Sequence, residues 1–175
     1  MRQLLAAALS TVVLTGAAAG ASEYPERPAG PVLDQAQVIP EVAERALDSR
    51  LRAYFLETCR AVIVATVSSL KGQTIDKYAT NLSNEWKIGD PIRGDGVLLL
   101  VAPNERKVRI EVSRSLQPAM PDAAAASIIQ GGMMDRYRAG DYAGGIQLGI
   151  EAIETRLDRD APENPTCRPA QRGAK

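Results

Sequence analysis

Ala61-Val-Ile-Val-Ala-Thr-Val67 and Val97-Leu-Leu-Leu-Val-Ala102 decide the fold. Neither run alternates apolar with polar residues, both are short, and the first is rich in β-branched side chains. Each therefore predicts a strand covered on both faces rather than a surface strand. Lys107 to Val112 behaves differently: Val108, Ile110 and Val112 face one way, and Lys107, Arg109 and Glu111 the other. With the turn Pro103-Asn-Glu-Arg106 between them, the second and third runs predict a hairpin of one covered strand and one half-exposed partner.

Working outward, the cover has to come from helices. From Pro40, residues Ala43, Leu47, Leu51, Tyr54 and Phe55 recur at three- and four-residue spacing, a helical stripe. Thr74 is placed to cap a second helix bearing Ile75, Tyr78, Leu82 and Trp86. Asp122 is placed to cap a third through Ile128, Ile129 and Met133, and Asp141 a fourth bearing Tyr142, Ile146, Ile150, Ile153 and Leu157. Pro31-Val-Leu-Asp34 reads as a short edge strand or a turn. The order predicts one α/β domain, an α/β/α sandwich whose small mixed sheet is flanked by about four helices. Residues 22–30 read as an extended leader, and residues 158–175, polar and Pro-rich, as a disordered tail.

The chain has 175 residues, with 21 Lys plus Arg, 21 Asp plus Glu and no His. That balance offers nothing for nucleic acid or an anionic membrane to hold. Without imidazole there is no Ser-His or Cys-His nucleophile pair and no His-ligated zinc. Any chemistry must run on carboxylates, hydroxyls, amines or a hard cation.

Residues 1–21 predict a cleaved export signal: Arg2, an apolar run from Leu4 to Leu14, and small residues at Ala19-Gly-Ala21. Cleavage near Ala21/Ser22 gives a periplasmic or secreted chain with 20 basic against 21 acidic residues. No later apolar run is long enough to span a bilayer. In an oxidising compartment Cys59 and Cys167 predict one disulfide, tying the tail to the start of a core strand.

Three acids stand at turns or helix starts: Asp34, Asp95 between Gly94 and Gly96, and Asp122 after Pro121. Carboxylates at loop ends beside a sheet can converge on Ca²⁺ or Mg²⁺, which take oxygen ligands. Asp95-Gly96 is equally an ordinary turn pair, and Asp122 an ordinary cap. Arg106, Lys107, Arg109 and Arg114, interleaved with Glu105 and Glu111, read as a mixed-charge solvated face. Ser113, Arg114 and Ser115 end the hairpin, where hydroxyls and a guanidinium can hold a phosphate or another anion, or simply turn the chain. Gly131-Gly132 and Gly144-Gly145 read as helix breaks or close-packing points.

Several stretches together resemble a known family, the TPM domain: Val62-Ile-Val-Ala-Thr-Val-Ser-Ser-Leu70, Gly72-Gln-Thr-Ile-Asp-Lys-Tyr-Ala79, Glu85-Trp-Lys-Ile-Gly89, Gly94-Asp-Gly-Val-Leu-Leu-Leu-Val-Ala102 and Arg106-Lys-Val-Arg-Ile-Glu-Val112. Val32-Leu-Asp-Gln-Ala36, Asp122 and Arg138-Ala-Gly-Asp-Tyr-Ala-Gly-Gly-Ile146 extend the match to about residues 31–157. The family includes thylakoid-lumen acid phosphatase-like proteins of photosystem II repair and exported bacterial proteins. The resemblance implies an α/β/α sandwich and divalent-cation binding at loop carboxylates, here Asp34, Asp95 and Asp122. It also implies one of two activities. The first is an accessory protein that helps assemble or maintain a larger complex through an unknown protein partner. The alternative is a metal-assisted acid phosphatase with Arg114, Ser113 and Ser115 at the phosphate.

The chain departs from the family pattern after the hairpin. Where the family tends to Gly-Tyr-Gly-Leu-Glu-Gly, this sequence has Ser113-Arg-Ser-Leu-Gln-Pro118. Three glycines and a carboxylate are gone and a cation has entered, which lowers the expected affinity of that loop for a cation.

Overall fold

Alternate residues of the apolar strands point to opposite faces, and each face has its own cover. The computed structural model describes residues 23–89 and 95–161. Its strands are β1 (Val32–Asp34), β2 (Arg60–Thr66), β3 (Asp95–Ala102) and β4 (Lys107–Val112). Its helices are α1 (Glu41–Thr58), α2 (Ile75–Glu85), α3 (Asp122–Ile128), α4 (Met134–Arg138) and α5 (Tyr142–Asp160). The sheet order is β1-β2-β3-β4, with the first three strands parallel and β4 antiparallel to β3. Val64 is in register with Val32 on one side and Leu99 on the other, so the central strands carry one continuous apolar grid.

Val62, Val64, Val97, Leu99, Val101, Ile110 and Val112 form one face, packed against Leu47, Leu51 and Tyr54 of α1 and Ile146, Ile150, Ile153 and Leu157 of α5. Ile63, Ala65, Leu98, Leu100 and Ala102 form the other, under Ile75, Tyr78, Ala79, Leu82 and Trp86 at α2. This is the expected α/β/α sandwich with its small mixed sheet. Fully burying each such aliphatic side chain contributes about 1.5–3 kcal/mol against leaving it exposed. β1, β2 and β3 advance across the sheet in one direction while α1 and α2 lie on opposite faces. The two crossovers are therefore of opposite hand, and one departs from the right-handed rule.

A single helix does not cover the second face, and residues of the leader complete it. Tyr24 stacks edge-on against Tyr78 at 5.0 Å, its hydroxyl accepts from Asn81 Nδ2 at 2.8 Å, and Trp86 Nε1 donates to the Pro25 carbonyl at 2.9 Å. The leader is docked along α2, not merely extended.

Two of the three expected helix caps form. Thr74 Oγ1 accepts from Lys77 N at 3.3 Å, and Asp141 Oδ1 from Gly144 N at 2.9 Å. Two expectations need correction. Asp122 does not cap α3: Pro121 occupies that position, and the Asp122 side chain turns to Arg109. α5 continues past Leu157 to Asp160, because Arg156 pairs with Asp160 at 2.6 Å and Asp158 accepts from the Tyr54 hydroxyl at 2.9 Å. Gly131-Gly132 is a break, a π turn with Gly132 at φ +119° between α3 and α4. Gly145 is a packing point, where a Cβ would run into the Tyr137 ring. No helix among the described residues is long and apolar enough to cross a membrane. The expected signal at 1–21, its cleavage site near Ala21/Ser22, and Cys167 lie outside the described residues.

Candidate functional site

Parallel strands give the sheet two chemically distinct ends, and the predicted site residues are divided between them. Asp34 closes β1 at the carboxyl end. Its Oδ2 accepts from Ile39 N at 2.8 Å and its Oδ1 from Val38 N at 3.2 Å, while the Thr66 hydroxyl donates to Oδ1. Thr66 Oγ1 in turn accepts from Ala36 N at 3.0 Å. This carboxylate is committed to shaping the chain between β1 and α1.

Asp95 opens β3 at the other end, in register with Arg60. Asp34 is aligned through Thr66 with Val101, six residues along the same strand from Asp95. At about 3.3 Å per residue the two positions lie about 20 Å apart along the strand direction, and they are also two strands apart across the sheet. Asp122 lies elsewhere again, 82% exposed and 3.3 Å from Arg109 Nη2. Arg109 also reaches Asp76 at 3.2 Å and Glu111 at 3.3 Å, so it knits α2, β4 and α3 together.

A divalent cation needs six or more oxygens converging at 2.0–2.6 Å. Asp34, Asp95 and Asp122 do not converge, because β3 separates the first two and Arg109 holds the third. The residues present do not fit one shared Ca²⁺ or Mg²⁺ site. Among the described residues no three acidic or Cys side chains gather in a way that would hold a metal ion.

The structure does join Gly96, next to Asp95, to the end of the hairpin. Gly96 N donates to Ser113 Oγ at 3.1 Å, Gly96 O accepts from Ser113 N at 2.9 Å, and Ser113 Oγ lies 3.1 Å from Ser115 Oγ. Gly89, at φ +75°, approaches so closely that a Cβ there would collide with Ser113. Ser113 thus closes the β3–β4 ladder and packs against the Gly89 backbone. Arg114 is exposed and has no side-chain partner among the described residues.

A second feature was missed by the reading of α1 as one apolar stripe. Phe55 is 41% exposed and Leu56 57%, and both line a groove of about 480 Å³ with Ala61, Ile63 and Ile88. Arg52 and Lys87 stand on its rim. The signal was present: Tyr54, Phe55 and Leu56 are consecutive, and a helix turning about 100° per residue cannot aim all three at one core.

Comparison with known proteins agrees with this architecture. The N-terminal domain of a P. gingivalis protein is 26% identical, with a TM-score of 0.70 over 79% of this chain and 88% of that one. The N-terminal domain of cg2496 from Corynebacterium glutamicum is 15% identical, TM-score 0.59, over 83% of this chain and 90% of that one. BA42 from the psychrophilic bacterium Bizionia argentinensis is 17% identical, TM-score 0.61, over 73% of this chain and 86% of that one, so it too shares the fold. No protein of curated function matches the sequence. The TPM domain family model matches residues 32–156, most of the chain, and the protein belongs to the TPM domain family.

Proposed function

We propose that this chain is an exported accessory protein that docks on a larger periplasmic assembly and helps to build or maintain it. The apolar groove beside α1 carries this reading. Phe55 and Leu56 are large side chains left partly in water at the mouth of a concavity floored by Ala61 and Ile63. Exposed apolar residues grouped at a concave surface mark contact sites for other proteins. The acid phosphatase alternative is not favoured, because the three carboxylates it would use as a metal set are held apart. The same distribution gives no support to Ca²⁺ or Mg²⁺ as a shared ligand of Asp34, Asp95 and Asp122.

Export and the Cys59–Cys167 disulfide belong to the same proposal. Cys59 is not a free thiol. Arg60 Nη2 donates to the Ala161 carbonyl at 3.2 Å, which brings the chain six residues ahead of Cys167 back to the start of β2. N-terminal sequencing of the mature protein is expected to begin near Ser22, and its intact mass to lack two hydrogens.

Size fractionation of the soluble exported fraction tests docking. The wild-type chain is expected to migrate in an assembly much larger than its own mass. Leu56→Glu is expected to return it to monomer size with its thermal midpoint unchanged. Monomeric migration of the wild-type chain, or an assembly indifferent to Leu56→Glu, overturns the reading.

A further inference from the structure

A different concavity lies at the carboxyl end of β3. It is a cleft of about 350 Å³ between the β3–β4 turn and the junction of α4 with α5. Its cations are Arg106 from the turn, Lys107 at the start of β4 and Arg138 from the end of α4. Pro103, Tyr137 and Tyr142 contribute apolar and aromatic surface, the two tyrosine rings stacking at 5.2 Å. The lining holds no carboxylate. Arg138 is paired with Asp135 at 2.6 Å, whereas Arg106 and Lys107 have no side-chain partner among the described residues. Of the other acids nearby, Asp141 is engaged by Arg136 and Gly144, and Glu105 by Leu70 N.

The backbone adds an independent observation. Arg106 N donates to Pro103 O at 3.1 Å, closing a tight turn in which Arg106 adopts φ +54°. That left-handed conformation costs an ordinary residue about 1 kcal/mol relative to glycine. The Arg106 side chain makes no hydrogen bond or ion pair among the described residues. The turn is also held rigidly: Asn104 Nδ2 donates to Ser68 O at 2.7 Å, and Glu105 Oε1 accepts from Leu70 N at 2.8 Å. An unpaired cation on a pinned turn facing a cleft is placed as a binding residue would be.

We propose that this cleft binds a small organic oxyanion, a carboxylate or phosphate group on a flat apolar body. Arg106, Lys107 and Arg138 hold the charged head, and Tyr137, Tyr142 and Pro103 pack the body. The lining carries no carboxylate, serine or cysteine, and the role assigned to the cleft is binding. This site is independent of the groove beside α1, and its failure would leave that reading standing.

The test is an amide NMR titration of the mature chain with phenyl phosphate, benzoate and inorganic phosphate. Saturable shifts at residues 101–107 and 137–142 are expected with at least one aromatic anion, and inorganic phosphate is expected to bind about tenfold more weakly. The preferred aromatic probe identifies the head group. Arg106→Gly should weaken binding about tenfold while its thermal midpoint stays level or rises, because glycine relieves the turn. Arg138→Ala, at an exposed helix end, should weaken binding without the stability gain. No saturable shift with any probe, or both variants binding within about twofold of wild type, overturns the proposal.

Discussion

Trp86 Nε1 donates to the carbonyl of Pro25 at 2.9 Å, and this bond fastens the leader to the end of α2. The Arg27 guanidinium returns the attachment by donating to the Trp86 carbonyl. Trp86→Phe removes the indole donor and leaves part of a fully buried ring volume empty, so it should cost about 2 kcal/mol. Tyr24→Ala, which strips the ring from Tyr78 and leaves Asn81 without its acceptor, should cost more. Urea denaturation of the two variants checks the order.

Asp34 is a structural carboxylate, and its replacement should be felt in stability before anything else. Asp34→Ala leaves two backbone N–H groups and the Thr66 hydroxyl without an acceptor, an expected loss of about 2–3 kcal/mol. Asp34→Ala should lose the same stability with and without millimolar Ca²⁺. A calcium-dependent rise that Asp34→Ala abolishes would contradict this assignment.

Gly145→Ala sets two effects against each other. Helix propensity favours alanine by about 1 kcal/mol. The added Cβ meets the Tyr137 ring, a rigid body already packed against α5. Overpacking of this kind costs about 1–3 kcal/mol, so the net change should be destabilising. Gly140, at φ +79° with open space around it, should resist alanine for the backbone reason alone.

Thr74→Ala removes the side-chain acceptor from the first turn of α2 and should cost about 1 kcal/mol. Thr74→Asp should retain most of the stability, since a carboxylate can take the same Lys77 N–H and suits the helix amino end.

Acid should weaken the fold through three exposed carboxylates. Asp141 is held below its ordinary value of 3.8 by the Gly144 N–H and then by Arg136. Glu151 is lowered by Gln147 and then Arg50, and Asp160 by Arg159 and then Arg156. Each binds its proton more weakly folded than unfolded. Their contribution is complete above the ordinary carboxylate range and disappears as pH falls through the depressed values. Because all three face solvent, salt should shrink the effect. At the alkaline side burial raises the Tyr54 and Tyr137 phenols above their ordinary value of 10.0, so stability should also fall once unfolded tyrosines begin to ionise. Thermal midpoints from pH 2 to 11 at two salt concentrations would show both limbs, and a flat profile would contradict them.

What the amino-acid sequence determined by itself is the part governed by short-range periodicity. The double-sided burial of β2 and β3, the half-exposed β4, the Thr74 and Asp141 caps and the stripe on α2 follow from side-chain spacing along a strand or helix. The same local logic failed at Asp122, where a carboxylate one residue into the helix was drawn away by Arg109 from another strand. Tertiary structure alone decided the site. Asp34 and Asp95 both looked like loop carboxylates, yet strand direction and register put them at opposite ends of the sheet. Arg106 and Arg138, 32 positions apart, share a cleft because the β3–β4 turn packs beside the end of α4. Period and propensity act over a few residues, whereas convergence of distant side chains depends on how whole elements pack.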